Sequence, residues 1–310
     1  MTHAAEGLPD SVPRNWLDRY APAWLKPYGR LARWDRPIGW WLLLWPCWWS
    51  AALAALATER GEPVLWHLIL FMIGAITMRG AGCTYNDLVD RDLDAKVERT
   101  RLRPLPSGAV KPWQAATFLA AQALVGLAVL LQFNRFTIIL GLASLLVVAI
   151  YPFMKRLTDW PQLFLGFAFS WGALVGWTAL TGKLAAAPLF LYAAAILWTI
   201  AYDTIYALQD KEDDALIGVR STARLFGARS RLYIAAFYAA AVLCMGIAFV
   251  FADAGIFAFA GLGVAAAHMG WIVVSLDPDS AESCLSRFRA NSSTGWIVFI
   301  GLLADGLLRL

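Results

Sequence analysis

The amino-acid sequence predicts an all-α, polytopic membrane protein with about nine transmembrane helices. Of its 310 residues, 60% are hydrophobic and only 15% are charged. Apolar runs of roughly 20 residues recur along the chain, and each is long enough to cross the hydrocarbon core of a bilayer. The runs are continuous and do not alternate, which excludes a transmembrane β-barrel. The 16 Trp are typical of a protein with two membrane interfaces.

The first 36 residues differ from the remainder of the chain. Residues 1–36 are polar, basic and contain several prolines, so they predict a loosely ordered N-terminal arm with a short interfacial helix near 16–25. Residues 37–310 predict a single transmembrane domain. Its spans are predicted at about 39–57, 65–85, 113–131, 136–153, 161–180, 187–206, 232–251, 254–276 and 293–308.

The positive charges are distributed unevenly between the loops. Of the 26 Lys and Arg, 21 lie in the N-terminal arm and in the loops at 86–112, 154–160, 207–231 and 277–292. Because loops rich in Lys and Arg stay in the cytoplasm, the arm and these four loops are predicted to be cytoplasmic.

A dense group of carboxylates follows the second span. Asn86, Asp90 and Asp94 fall on one stripe of a helix, and Asp87 lies beside that stripe. Like charges at this spacing repel each other unless a cation lies between them. A hard divalent ion such as Mg²⁺ is the simplest partner, and Mg²⁺ commonly binds together with a substrate phosphate. The alternative is an ordinary solvated loop.

A similar pattern follows the sixth span. Asp203, Asp210 and Asp214 share one helical stripe, with Asp213 beside them. Carboxylates that hold a metal beside cations that hold oxyanions outline a diphosphate site, and basic residues follow both groups. We therefore predict an internal duplication in which the first acidic motif (residues 86–94) and the second (residues 203–214) face one cavity. The basic residues are Lys96, Arg99, Arg101 and Arg103 after the first, and Lys211, Arg220 and Arg224 after the second.

Two basic residues in apolar surroundings have alternative interpretations. Arg79, inside the second span, either pairs with a motif acid or reaches the interface, or it anchors the carboxylate of a small substrate. Lys155, at the end of the fourth span, is either an interfacial lysine or a ligand for a phosphate oxygen. Asp305 receives no role. The segment Gly261-Leu262-Gly263 is interpreted as a helix-packing feature.

Several segments share a pattern with a known family. They are Arg36-Pro37-Ile38-Gly39, Arg79-Gly80-Ala81-Gly82-Cys83, the run from Asn86 to Asp94, Arg103-Pro104-Leu105-Pro106-Ser107-Gly108, Tyr151-Pro152-Phe153-Met154-Lys155-Arg156, Tyr202 to Ala207 with Asp210 to Asp214, and Ile217 to Thr222. Through them the chain resembles the UbiA superfamily of intramembrane aromatic prenyltransferases, and within it the branch that acts on 4-hydroxybenzoate in ubiquinone biosynthesis. One departure is Leu102, where a polar residue such as Asn is expected.

The resemblance implies a nine-helix bundle around a central cavity, with a cytoplasmic cap that carries the active site. It implies Mg²⁺ as the cofactor, polyprenyl diphosphate and 4-hydroxybenzoate as substrates, and membrane lipid as the surroundings. No nucleic acid and no obligate protein partner are expected. The implied metal ligands are Asn86, Asp87, Asp90, Asp94, Asp210 and Asp214, with Asp203 and Asp213 close by in the same set.

The remaining roles concern the two substrates. Arg99, Arg103, Lys155 and Tyr151 are expected to neutralise the departing diphosphate. Arg79 is expected to hold the carboxylate of the acceptor, and Asp210 to draw the phenolic proton. The predicted catalytic residues are therefore Asp210, Lys155 and Tyr151.

Two alternative functions stay open at this stage. One is a prenyltransferase of the same superfamily that acts on another quinone, haem or chlorophyll precursor. The other is a membrane transporter, since acidic residues and duplicated halves also occur in that class. A bacterial inner membrane is favoured, because no transit-like Arg/Ser-rich extension precedes the first span.

Overall fold

The computed structural model describes residues 15–95, 100–211, 218 and 220–308, and within these ranges the only regular secondary structure is helical. Short 3₁₀ turns at Leu208–Asp210 and Gly227–Arg229 join the α-helices. The α-helices are α1 (Trp16–Tyr20), α2 (Lys26–Leu31), α3 (Ile38–Ala57), α4 (Leu65–Asp94), α5 (Pro112–Leu130), α6 (Arg135–Leu157), α7 (Pro161–Ser170), α8 (Gly172–Thr181), α9 (Ala186–Ala207), α10 (Thr222–Phe226), α11 (Ser230–Phe251), α12 (Ile256–Ser275) and α13 (Ala281–Leu308).

Nine helical stretches among the described residues are long and apolar enough to cross a membrane. This confirms the predicted all-α, polytopic membrane fold. The fifth span consists of two helices, α7 and α8, which meet at Trp171. The last span begins at Ala281, earlier than predicted. Arg287 near its start packs against the preceding helix α12, with its guanidinium carbon 4.3 Å from the centre of the Trp271 ring.

The chain divides into two compact units. The first unit comprises residues 1–41 and 72–132, and the second comprises residues 42–71 and 133–310. The first acidic motif belongs to the first unit, and the second acidic motif belongs to the second unit.

The N-terminal arm is an ordered part of the first unit. Leu31 at the end of α2 packs in a buried cluster with Leu105, Val110 and Ala115, and Leu88 and Phe118 pack against this cluster. The indole Nε1 of Trp16 donates to the backbone oxygen of Trp34 at 2.9 Å. The short helix predicted near 16–25 is present as α1, with Leu17 buried. The second helix, α2, was not predicted, and burial of Leu31 stabilises it.

Polar side chains and close helix contacts hold the second unit together. Asn291 of α13 accepts hydrogen bonds from Trp198 Nε1 of α9 and from the Tyr238 hydroxyl of α11, both at 2.9 Å. Such bonds are satisfied inside the protein because lipid offers no partner for a polar group. The backbones of α12 and α13 approach closely where Gly261 faces Gly301, as predicted for a packing glycine.

Asp305 has a structural role that the sequence analysis did not assign. Its carboxylate, in the last turns of α13, is buried. It accepts hydrogen bonds from the backbone amides of Gly255 at 2.7 Å and Phe257 at 3.2 Å. These amides belong to the first turn of α12, so Asp305 caps that helix from the neighbouring one.

Candidate active site

The first acidic motif forms the last turns of α4, and most of its aspartates are buried. Asp87, Asp90 and Asp94 are 0%, 1% and 6% exposed, whereas Asp92 between them is exposed. Asn86 is half-buried. Because a buried carboxylate is costly without a compensating charge or hydrogen bond, this stripe must have cationic partners.

Two arginines from distant parts of the sequence supply positive charge. Arg33 Nη2 lies 2.7 Å from Asp87 Oδ1. Arg103 Nη1 lies 2.8 Å from Asp94 Oδ2 and 3.5 Å from Asp87 Oδ1. Arg103 therefore contacts two of the predicted metal ligands, although the sequence analysis placed it on the diphosphate. Arg33 was missed by the sequence analysis.

Burial and ion pairing shift two pKa values at this motif. Burial of the Arg33 guanidinium favours its neutral form, but the charges and hydrogen bond of Asp87 outweigh burial and raise the pKa of Arg33 above its ordinary value. Burial raises the pKa of Asp94, against the opposing effect of Arg103, and the neighbouring Asp87 and Asp90 raise it further. An additional cation beside Asp94 would oppose this rise and favour its charged form.

One carboxylate oxygen in the motif is suited to bind a metal ion. Asp87 Oδ2 is buried and has no hydrogen-bond partner among the described residues. The described parts of the chain contain no group of three or more His, Cys, Asp or Glu arranged to hold a metal ion. The carboxylates of the first motif are still compatible with Mg²⁺, because Mg²⁺ is usually bound through one or two carboxylates together with water and substrate phosphates.

Arg79 lies one to two turns before the motif on α4 and packs against Gly39 near the start of α3. A Cβ atom added to Gly39 would lie 2.5 Å from Arg79 Nε. The glycine of the segment Arg36-Pro37-Ile38-Gly39 therefore provides the space for the guanidinium of Arg79. The sequence analysis quoted this segment but gave Gly39 no role.

The second acidic motif has a different local structure. Asp203 lies in the last turns of α9, and Asp210 lies at the end of the 3₁₀ turn that follows. Both are half-buried. Asp213 and Asp214, like Arg99 after the first motif, lie outside the described residues, so their predicted roles stay predictions.

Lys155 and Tyr151 lie in the last two turns of α6, and both are half-buried. The end of this helix is joined to the segment at residues 220–222. The backbone amide of Arg220 donates to the carbonyl oxygen of Lys155 at 3.2 Å. The hydroxyl oxygens of Thr222 and Thr204 are 2.6 Å apart, and Thr204 directly follows Asp203.

A second bond holds the same segment. The backbone amide of Thr222 donates to Gln162 Oε1 of α7 at 3.0 Å. Within the second unit, the helix end that carries Lys155 and the helix that carries Asp203 are thus linked through one short segment. The prediction that the two acidic motifs face one cavity stays a prediction.

The fold and the acidic helix of the first unit are those of an intramembrane prenyltransferase, and the chain belongs to the UbiA prenyltransferase family, whose model matches residues 43–300. It is 46% identical over 291 residues to a protein of Arabidopsis thaliana named 4-hydroxybenzoate polyprenyltransferase, mitochondrial, covering 93% of this chain and 71% of the relative. A protein of the same name from Drosophila melanogaster is 50% identical over 286 residues, covering 92% of this chain and 72% of the relative.

Solved structures of the family have the same fold. The apo structure of a UbiA homolog from Aeropyrum pernix K1 superimposes with a TM-score of 0.71 at 25% identity, covering 85% of this chain and 97% of that one. The structure of a UbiA homolog from Archaeoglobus fulgidus bound to GPP and Mg²⁺ has a TM-score of 0.67 at 20% identity, covering 91% of this chain and 98% of that one.

Proposed function

We propose that this protein transfers a polyprenyl group from polyprenyl diphosphate to 4-hydroxybenzoate, at the ring carbon ortho to the hydroxyl, in ubiquinone biosynthesis. The observation that carries the proposal is the buried stripe of Asp87, Asp90 and Asp94 at the end of a membrane-spanning helix. A prenyl diphosphate has a long apolar tail and a polyanionic head, so its site must lie where a span ends. The relatives named 4-hydroxybenzoate polyprenyltransferase support the choice of acceptor.

The metal would be held by the oxygen atoms of both acidic motifs. In the first unit these are Asn86, Asp87, Asp90 and Asp94, and Asp87 Oδ2 is buried with no hydrogen-bond partner among the described residues. Asp203, Asp210, Asp213 and Asp214 complete the proposed set. Bound Mg²⁺ supplies positive charge that stabilises the diphosphate as its bond to the prenyl group breaks. The structure of the Archaeoglobus fulgidus homolog bound to GPP and Mg²⁺ supports a divalent metal in this family.

The cationic side chains would stabilise the leaving group. Lys155 and Arg103, with Arg99, donate hydrogen bonds to diphosphate oxygens, and the hydroxyl of Tyr151 adds one more. Arg103 serves this role from its position beside Asp94, where one Nη atom is engaged and a guanidinium retains further donors. As the carbon–oxygen bond of the prenyl diphosphate breaks, the allylic carbon becomes electrophilic.

The acceptor would be bound and activated by two residues. Arg79 holds the carboxylate of 4-hydroxybenzoate through its guanidinium. Asp210 accepts the phenolic proton, which raises electron density at the ortho carbon. That carbon forms the new bond to the prenyl group and then loses its own proton, which restores the aromatic ring. Asp210 returns the phenolic proton, so the products are the prenylated acid, diphosphate and one proton.

The experiment is a product analysis with purified protein in detergent or lipid. We expect mass spectrometry to detect 3-polyprenyl-4-hydroxybenzoate when 4-hydroxybenzoate, polyprenyl diphosphates of several lengths and Mg²⁺ are supplied, and no product after exhaustive chelation. Product formed only from a different aromatic acceptor would refute the proposed substrate. Flux of an ion or metabolite in proteoliposomes without any prenylation would favour a transporter.

The proposed location is a bacterial inner membrane, with the N-terminus and the active site in the cytoplasm. The excess of Lys and Arg in the loops beside both motifs supports this orientation. The relatives described above are mitochondrial and do not support the bacterial membrane. Fractionation of the source cells, with protease access to an N-terminal tag in sealed vesicles, tests both parts of the proposal.

A further inference from the structure

Arg33 lies just after the end of α2, in a left-handed backbone conformation that glycine usually adopts at the end of a helix. Its φ is 60°, in the left-handed region that residues other than glycine rarely adopt. The side chain is only 10% exposed. The turn ends α2, because the amides of Arg33 and Trp34 donate to the carbonyl oxygens of Arg30 at 3.2 Å and Gly29 at 2.8 Å. Since glycine is the usual residue there, the buried arginine is kept at a cost in backbone strain.

The guanidinium of Arg33 is fixed from two sides. Nη1 donates to the carbonyl oxygen of Arg30 at the end of α2, at 2.9 Å. Nη2 donates to Asp87 Oδ1, 54 residues later in the chain, at 2.7 Å. Helix α2 is itself held in the first unit, because Leu31 is part of the buried cluster with Leu105 and Val110. The guanidinium is therefore held by the N-terminal arm and in turn restricts the position of the Asp87 carboxylate.

The contact involves only one oxygen of the carboxylate. Arginine–carboxylate pairs often use both oxygens in a bidentate fork, which leaves neither oxygen for another ligand. Here Arg33 and Arg103 both approach Oδ1, at 2.7 and 3.5 Å. Oδ2 stays buried and has no hydrogen-bond partner in the described part of the chain.

We infer that Arg33 is a positioning residue for the metal site: it holds Asp87 by Oδ1 so that Oδ2 is presented to the divalent ion. The inference rests on the proposed function, which requires that ion. Carboxylates that bind metals are commonly oriented by hydrogen bonds from a surrounding layer of residues, and loss of such a bond typically weakens metal binding 10- to 100-fold. On this inference, the N-terminal arm contributes Arg33 to the active site.

The test compares variants for Mn²⁺ affinity, measured by electron paramagnetic resonance with inorganic pyrophosphate present. Arg33→Gly removes the guanidinium and leaves a residue that favours the same backbone conformation, so the turn is retained. We expect this variant to bind Mn²⁺ about 10- to 100-fold more weakly than the wild type. Arg33→Lys keeps the charge and one donor, and should recover part of the affinity.

The matched control is Arg30→Gly. Arg30 lies in the same arm, but its guanidinium pairs with Asp18 at 3.1 Å near the surface, where the two side chains are 27% and 30% exposed. We expect its Mn²⁺ affinity to stay within about twofold of the wild type, because an exposed pair contributes little. In an Asp87→Asn background, Arg33→Gly should cause no further loss, since the oriented carboxylate is already absent.

Two results separate the inference from the proposed function. Unchanged Mn²⁺ affinity in Arg33→Gly and Arg33→Lys, in a protein whose wild type binds Mn²⁺ and forms product, would overturn the inference and leave the function intact. Should Arg33→Gly not fold, Arg33→Lys alone decides, and full wild-type affinity in it would overturn the inference. A wild type that binds Mn²⁺ without prenylating 4-hydroxybenzoate would overturn the function, while a difference between Arg33→Gly and Arg30→Gly would still support the role of Arg33.

Discussion

The two acidic motifs are similar in sequence and are built differently. In the first, Asp87, Asp90 and Asp94 are buried on one helix, and Arg33 and Arg103 contact two of them directly. In the second, the helix changes to a 3₁₀ turn before Asp210, and Asp203 and Asp210 are half-buried. Beside the second motif, Thr222 forms hydrogen bonds between uncharged groups, with the Thr204 hydroxyl and the Gln162 side chain.

The first motif is therefore partly preorganised by arginines of the protein itself. Its charge is partly neutralised before any metal arrives, so a metal must compete with, or complement, the arginines. We expect the first motif to determine where a metal binds.

The largest expected effect is the loss of turnover in Asp90→Ala and in Asp210→Ala. If both motifs hold the metal, each substitution should lower kcat by about 10³-fold or more, because charge stabilisation of the leaving diphosphate is lost. The measurement is prenyl transfer by protein of confirmed membrane insertion. Asp92→Ala is the control, since the Asp92 side chain is 85% exposed on the same helix. Near-normal activity in Asp210→Ala alone would restrict metal binding to the first motif.

The next largest effect is expected on the thermal stability of the metal-free protein. Arg103→Ala removes a cation that contacts both Asp87 and Asp94, and removal of one partner of a buried pair costs about 3 kcal/mol. We expect a lower midpoint of thermal unfolding in chelator, with partial recovery when Mg²⁺ is added. Arg91→Ala, which loses only an exposed pair with Asp92, serves as the control. Equal midpoints for the two variants would contradict preorganisation by Arg103.

A smaller effect is expected from Gly39→Ala. The added methyl would collide with Arg79 Nε and displace the guanidinium, so KM for 4-hydroxybenzoate should rise about tenfold while KM for the prenyl diphosphate changes little. The protein should remain as stable as the wild type, because alanine favours a helix more than glycine does. Gly82→Ala is the matched control, since no atom lies within 4 Å of a Cβ added there. Equal rises in both KM values would indicate a structural role for Arg79.

The smallest effect is expected at the second motif from Thr222→Val. This change removes the hydroxyl contact with Thr204 and leaves the backbone bond to Gln162, so it should cost about 1 kcal/mol of stability. Turnover should fall a few-fold, as the segment beside Lys155 is less firmly held. Thr222→Ser retains a hydroxyl and should stay close to the wild type. A large loss of metal affinity in Thr222→Val would show that the second motif is as preorganised as the first.

The sequence predicted those features that depend on neighbouring residues. Spans such as α3 and α6 were predicted because a continuous apolar run is a local property. The stripe of Asn86, Asp90 and Asp94 was predicted because the helical period fixes it once α4 continues to Asp94. The early start of α13 was missed because the charges at its beginning resemble those of a loop.

Features that depend on distant partners could not be predicted in this way. Nothing near Arg33 in the sequence indicates Asp87, which lies 54 residues away. The role of Gly39 depends on the position of the Arg79 side chain across two helices. Arg103 was assigned to the diphosphate from its charge, whereas its contacts with Asp94 and Asp87 follow from the packing of the loop after α4.

The cap that Asp305 forms on α12 has a consequence for biogenesis. A carboxylate near the end of a membrane helix is expensive in hydrocarbon, and its compensation comes from the amides of Gly255 and Phe257 on the preceding helix. We therefore expect the last helix to depend on the preceding one for stable insertion, so that a chain from which α12 is deleted inserts α13 poorly.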